Sequence, residues 1–133
     1  MTDTRTDRAR LKDAFAELRN RGWVAHMNYY CCQTCGCAAI HDEAEAGLGR
    51  PMSPEEQASL RYAFWHNQDD EAFQITPNRA KKDQMLHSPL HIAWGGNGHE
   101  LQAVLESQHL TVEWDGSDTR RVGVLPRADD GQA

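Results

Sequence analysis

The sequence lacks the long hydrophobic runs and the excess of basic residues that characterise membrane proteins and nucleic-acid-binding proteins. No stretch of the 133 residues approaches the roughly 20 apolar residues of a membrane span, and the polar amino-terminal segment has no signal-peptide apolar region. Acidic residues outnumber basic ones by 20 to 14, and the resulting charge of −6 repels a phosphate backbone. We therefore expect a cytoplasmic protein that binds neither membrane nor nucleic acid.

Common catalytic and metal-binding signatures are also missing. The chain has no Ser–His–Asp pattern and no nucleophile elbow. The segment 95–98 (GGNG) lacks the spacing of a phosphate-binding loop, and a turn that caps a helix explains it. A structural zinc site usually has two Cys-x-x-Cys pairs, whereas this chain has one. These motifs therefore do not indicate which reaction the protein could catalyse.

Hydrophobic periodicity predicts a single α+β domain over residues 1–126, followed by a disordered tail over 127–133. We expect an antiparallel or mixed sheet of about five strands, with helices on one face and a C-terminal hairpin. The predicted helices cover 6–20, a short segment from Ser53, a turn near 69–70, and 99–109. The first has an apolar stripe of Leu11, Phe15 and Leu18, and Thr6 or Asp7 can cap its start. The second begins with a capping box from Ser53 to Glu56. The predicted strands cover 23–30, 61–66, 90–94, and the hairpin arms 110–114 and 120–125. The first has a core face of Trp23, Ala25, Met27 and Tyr29 and runs directly into the cysteines. Residues 44–51 are predicted as loop and 77–89 as a surface insert.

Four cysteines lie within seven residues, at 31, 32, 35 and 37. Cys32-x-x-Cys35-Gly36 has the spacing of a metal knuckle, in which two thiolates meet one ion and the glycine adopts a positive φ. His66, beside two aspartates, is the best distant nitrogen ligand, because a carboxylate could orient its imidazole. The pattern predicts a zinc site of Cys32, Cys35 and His66, with Cys31 as a further candidate.

Other interpretations of the same residues remain open. A Cys-x-x-Cys can be a redox pair, but that motif belongs to a helix start in a β–α–β unit, which the sequence does not predict, so we rank redox chemistry second. The cysteines could also be buried, reduced thiols. The segment 66–71 (HNQDDE) could supply acid–base groups, but a strand end followed by an acidic helix start is the favoured explanation.

The ordered set of motifs resembles an uncharacterised bacterial family, domain of unknown function 6891. The matching pieces are 18–22 (LRNRG), 31–36 (CCQTCG), 64–69 (FWHNQD), 91–95 (HIAWG) and 110–116 (LTVEWDG). The resemblance implies a strand at 61–66 and places Cys31, Cys32, Cys35, His66 and Asp69 at recurrent positions. It also implies that Cys37 is particular to this chain. The resemblance implies no activity, because the family is uncharacterised.

Three hypotheses from different classes follow. The first is a binding or regulatory module that carries zinc and acts on a protein partner. The second is a metal- or thiol-dependent enzyme, in which Cys31 or Cys32 is nucleophile or ligand and His66 with Asp69 does the acid–base work. The third is a metal-free interaction factor, bacterial or from a phage, which binds another protein. The sequence favours the first.

Overall fold

The computed structural model describes residues 5–29, 33–66, 69–73, 85–117 and 120–126. In that part of the chain the helices are α1 (Asp7–Asn20), α2 (Gln33–Leu48), α3 (Pro54–Ser59) and α4 (Gly98–Ser107), and a 3₁₀-helix spans Asp69–Phe73. The strands are β1 (Val24–His26), β2 (Tyr62–Phe64), β3 (Leu90–Gly95), β4 (Thr111–Glu113) and β5 (Val122–Leu125). The predicted α+β class is confirmed.

The five strands form one mixed sheet in the order β1-β2-β3-β5-β4. Strands β1 and β2 are parallel, whereas β2–β3, β3–β5 and β5–β4 are antiparallel. The last pair is the predicted C-terminal hairpin. Since parallel neighbours need a crossover connection, the chain passes through α2 and α3 between β1 and β2. The amino-terminal part of the sheet is therefore a β–α–β unit.

Helices α1 and α4 cover one face of the sheet and form the main core with it. The predicted stripe of α1, Leu11, Phe15 and Leu18, is fully buried there. The α1 helix begins as predicted, since the hydroxyl of Thr6 accepts a hydrogen bond from the amide of Ala9 at 3.1 Å. The α3 helix also begins as predicted, with a complete capping box between Ser53 and Glu56.

Helix α2 covers the opposite face and makes a smaller second core there. Its Ile40 packs with Phe64 of β2 and Ala93 of β3, all buried. The prediction of a loop over 44–51 is wrong for residues 44–48, because the helix continues to Leu48 and is followed by Gly49, whose φ is +74°. A glycine in this conformation is a common helix terminator. The packing of Ile40 supports a helix that the sequence pattern did not reveal.

The first strand is shorter than predicted and ends at His26. Asn28 has a φ of +52°, which breaks the extended backbone. Consequently Trp23 and Ala25 lie in the main core as expected, but Tyr29 packs in the second core. The strand predicted over 61–66 forms at Tyr62–Phe64.

Some predictions lie outside the described residues. These are the tail 127–133, most of the insert 77–89, and the residues at the amino-terminal limit of the predicted domain. They remain predictions. In the described ranges, no helix has the length and apolar character needed to cross a membrane.

Candidate thiol site at the start of helix α2

The structure describes two of the four cysteines, and both are on α2. Cys35 is the third residue of the helix and is exposed, whereas Cys37 is half-buried. Two residues along an α-helix correspond to a rotation of about 200°, so these side chains leave the helix on nearly opposite sides. Cys31 and Cys32 lie outside the described residues. The prediction that the first strand runs directly into the cluster is wrong, because β1 ends at His26 and a helix carries Cys35.

Gly36 does not adopt the positive φ that the knuckle interpretation predicted. It is helical and buried, and the glycines with positive φ in the described ranges are at other positions. A Cβ at Gly36 would lie 2.4 Å from Cε2 of Phe64. Glycine at this position therefore permits the first turn of α2 to approach the ring of a buried residue on β2.

The argument for ranking redox chemistry second is also overturned. It rested on the absence of a β–α–β unit, but β1 and β2 are parallel and α2 lies between them in the chain. Cys35 is in the first turn of that crossover helix, and Cys32 immediately precedes the helix in sequence. This is the context in which a Cys-x-x-Cys pair is typical of dithiol redox proteins.

Cys37 belongs to a different environment from Cys35. It packs against the second core beside Tyr62. Burial, and after it the charge of Cys37 and a hydrogen bond with its sulfur, together raise the pKa of Tyr62 to about 12. Since Cys37 contacts Tyr62 on the sheet side, it is separated from the exposed face that carries Cys35.

His66 and Asp69 are brought together at the end of β2. His66 is buried, and its Nε2 lies 3.1 Å from Oδ2 of Asp69. The amide of Asp69 also donates a hydrogen bond to Nδ1 of His66, at 3.3 Å. Oδ2 of Asp69 in turn accepts a hydrogen bond from Arg121 at 2.8 Å. Both ring nitrogens of His66 are thus occupied by Asp69.

Asp70 has a structural role that the sequence did not indicate. Its carboxylate accepts hydrogen bonds from Nε1 of Trp65 at 2.9 Å and from Arg8 of α1 at 2.8 Å. The side chain is 1% exposed. Asp70 therefore connects the end of β2 to α1, and Asp69 connects it to Arg121, the residue immediately before β5. Arg121 was missed because 52 positions separate it from Asp69.

The described residues contain no group of three or more His, Cys, Asp or Glu side chains placed to hold a metal ion. Because Cys31 and Cys32 are not among those residues, the predicted ligand set of Cys31, Cys32, Cys35 and His66 remains a prediction. Of that set the structure describes Cys35, which is exposed, and His66, whose ring nitrogens contact Asp69.

Fold and site together define a small α+β domain with Cys35 in the first turn of the crossover helix of a β–α–β unit. The chain matches the family model described as domain of unknown function (DUF6891) over residues 2–128, and it belongs to that family. Neither a curated protein nor a solved structure matched it.

Proposed function

We propose that the chain is a small regulatory or binding module that acts through a reversible dithiol formed by Cys32 and Cys35. The observation that carries the proposal is the position of Cys35, exposed in the first turn of the helix that joins two parallel strands. The two-residue spacing lets both sulfurs meet at one helix end. The unpaired amides and the dipole of a helix N-terminus favour a thiolate there, which is the reactive form of cysteine.

The proposed reaction is thiol–disulfide exchange with a protein partner. One thiolate of the pair attacks a sulfur of the partner's disulfide, and a mixed disulfide forms as the other partner sulfur leaves as a thiolate. The second cysteine then attacks the mixed disulfide and releases the second partner sulfur. Two electrons pass to the partner, whose two sulfurs take up protons, while Cys32 and Cys35 become a disulfide. In a reducing cytoplasm the resting form is the dithiol.

Peptide mapping tests this proposal. The reduced protein is equilibrated with glutathione disulfide, remaining thiols are alkylated, and the linked peptides are identified by mass spectrometry. We expect a Cys32–Cys35 disulfide in the wild type and in Cys37→Ser, because Cys37 faces the second core. We expect none in Cys35→Ser. A wild-type protein that keeps Cys32 and Cys35 reduced under these conditions contradicts the proposal.

A zinc site is the second candidate, and the contact between His66 and Asp69 favours it. A metal-ligating histidine almost always has its other ring N–H held by a carboxylate or carbonyl, and Nε2 of His66 lies 3.1 Å from Oδ2 of Asp69. In this proposal Cys31, Cys32 and Cys35 supply thiolates. Nδ1 of His66 would bind the metal in place of the 3.3 Å hydrogen bond that it accepts from the amide of Asp69. Zinc would then stabilise the module that a protein partner binds.

Metal analysis separates the two candidates. The protein is purified without chelators and its zinc content is measured, together with Cys35→Ser and His66→Asn. About one zinc per chain in the wild type, with loss in both variants, supports the zinc site. A zinc content near zero in a reduced, folded wild type excludes it and leaves the dithiol proposal to the mapping experiment.

A further inference from the structure

A polar cleft lies on the far half of the sheet, away from the thiol site. It has a volume of about 410 Å³, within the usual range of small-molecule sites. Residues of β3, β4 and β5 line it, together with Trp114 and Asp115 after β4 and Arg120 and Arg121 before β5. The side chains that matter here are His91, Glu113 and Arg121. Helices α1 and α4 cover the other face of these strands, where Leu90 and Ile92 are buried.

The floor of the cleft is Gly123, on β5 between β3 and β4. Gly123 pairs with His91 on one side and with Glu113 on the other. The side chains of His91 and Glu113 therefore lie on the face of the sheet where any residue other than glycine at position 123 would place its side chain. Neighbouring strands lie about 4.8 Å apart, which places His91 and Glu113 about 10 Å from each other. Glycine therefore leaves a gap between an imidazole and a carboxylate.

The backbone conformation of Gly123 does not require glycine at this position. The φ of Gly123 is outside the positive range that other residues avoid. Inside a strand, glycine weakens the sheet and often marks a place where a ligand or another backbone approaches closely. A Cβ at Gly123 would lie 3.3 Å from the carbonyl oxygen of Glu113 and 3.7 Å from Cδ2 of His91, so any side chain here would occupy the cleft.

The acidic and the basic side chains of the cleft lie on different sides of it. On the β4 side, the Glu113 carboxylate is exposed and makes no hydrogen bond or ion pair with another side chain in the described part of the protein. On the β5 side, Arg121 uses one of its N–H groups for Asp69, its single side-chain hydrogen bond within the described ranges. The guanidinium has five N–H donors, so others remain for a ligand. Arg120 and Asp115 at the rim pair with each other.

We propose that this cleft binds a small zwitterion, a molecule with both a carboxylate and an amine, such as a free amino acid. The ligand carboxylate accepts hydrogen bonds from the guanidinium of Arg121, a geometry to which arginine is well suited. The ammonium group pairs with Glu113, and the body of the ligand lies over Gly123. Asp69 is the positioning residue, because its hydrogen bond orients Arg121 while it also contacts His66.

The test is an NMR titration of the full chain, labelled with ¹⁵N, with each of the standard free amino acids. We expect at least one of them to shift the amide signals of His91, Glu113 and Gly123 in a saturable way. For that amino acid, the matched acid without the amine and the matched amine without the carboxylate should bind at least about tenfold more weakly. No saturable shift with any amino acid, or equal binding of a singly charged analogue, overturns the proposal.

Variants locate the site. Gly123→Val fills the floor and should abolish the shifts, and Glu113→Gln should raise the Kd about tenfold by removing the ammonium partner. Glu106→Gln is the matched control, since Glu106 is exposed on α4, across the sheet from the cleft. Its Kd should equal that of the wild type. If Gly123→Val fails to fold, the Kd of Glu113→Gln decides alone. A Kd equal to that of the wild type would contradict the assignment of the binding site to this cleft.

Discussion

The aromatic ring of Phe64 lies against the backbone of Gly36, so close that a methyl group on Gly36 would be 2.4 Å from Cε2 of the ring. Gly36 follows Cys35 in the first turn of α2, and Phe64 is the last residue of β2. Phe64 is fully buried. The contact therefore fixes the cysteine-bearing end of the helix to the sheet.

Gly36→Ala should lower the free energy of unfolding by up to about 2 kcal/mol. Overpacking costs about 1–3 kcal/mol, and the better helix propensity of alanine offsets about 1 kcal/mol of it. Gly47→Ala is the matched control, because Gly47 is also in α2 but a Cβ there meets nothing within 4 Å. It should raise the free energy of unfolding by up to about 1 kcal/mol. Urea unfolding measures both, and stabilisation by Gly36→Ala would contradict the packing described for Phe64.

Asp70→Ala should destabilise the fold by about 2–3 kcal/mol. The substitution leaves the indole N–H of Trp65 and the Arg8 guanidinium without this carboxylate, and hydrogen bonds that involve a charged group contribute about 1.5–3 kcal/mol. Asp13→Ala serves as the control, since Asp13 pairs with Arg5 at the surface with 52% of its side chain exposed. Such a pair contributes about 0–1 kcal/mol. Equal effects of the two substitutions in urea unfolding would refute the role of Asp70.

Tyr62 should ionise near pH 12 rather than near 10, because it is half-buried beside Cys37. A folded-state pKa above the unfolded value means that the neutral phenol stabilises the fold. This stability is complete below about pH 10 and is lost as the pH rises through about 12. Absorbance titration of tyrosinate should show the late transition, and Cys37→Ala should lower the pKa of Tyr62. Disappearance of the late transition in Tyr62→Phe assigns it, and its persistence there would contradict the assignment.

Local chemistry made much of the fold predictable from sequence. The α1 stripe and the Thr6 cap, the capping box of α3, and the hairpin of β4 and β5 all depend on residues close in the chain, and all were confirmed. Helix α2 was missed because it contains glycines at 36 and 47, while its main buried anchor, Ile40, is a single position without a periodic stripe. Its stability depends on contact with Phe64 and Ala93, which only the folded sheet supplies.

The site was predictable only in part for the same reason. The spacing of Cys32 and Cys35 is visible in the sequence, but their context is not, because the parallel pairing of β1 and β2 joins two strands of three residues each. Parallel pairing depends on contacts far apart in the chain. The contact between Asp69 and Arg121 spans 52 positions and has no local signal.

The reduction potential of the Cys32–Cys35 pair tests the central claim most directly. The protein is equilibrated in glutathione buffers of graded potential, and the disulfide fraction is read from alkylated mass, with Cys37→Ser as the control. The account predicts a midpoint between about −270 and −120 mV, the range of dithiol oxidoreductases, unchanged in Cys37→Ser. A midpoint below about −300 mV, typical of structural disulfides, or a disulfide that uses Cys37 instead, would contradict it.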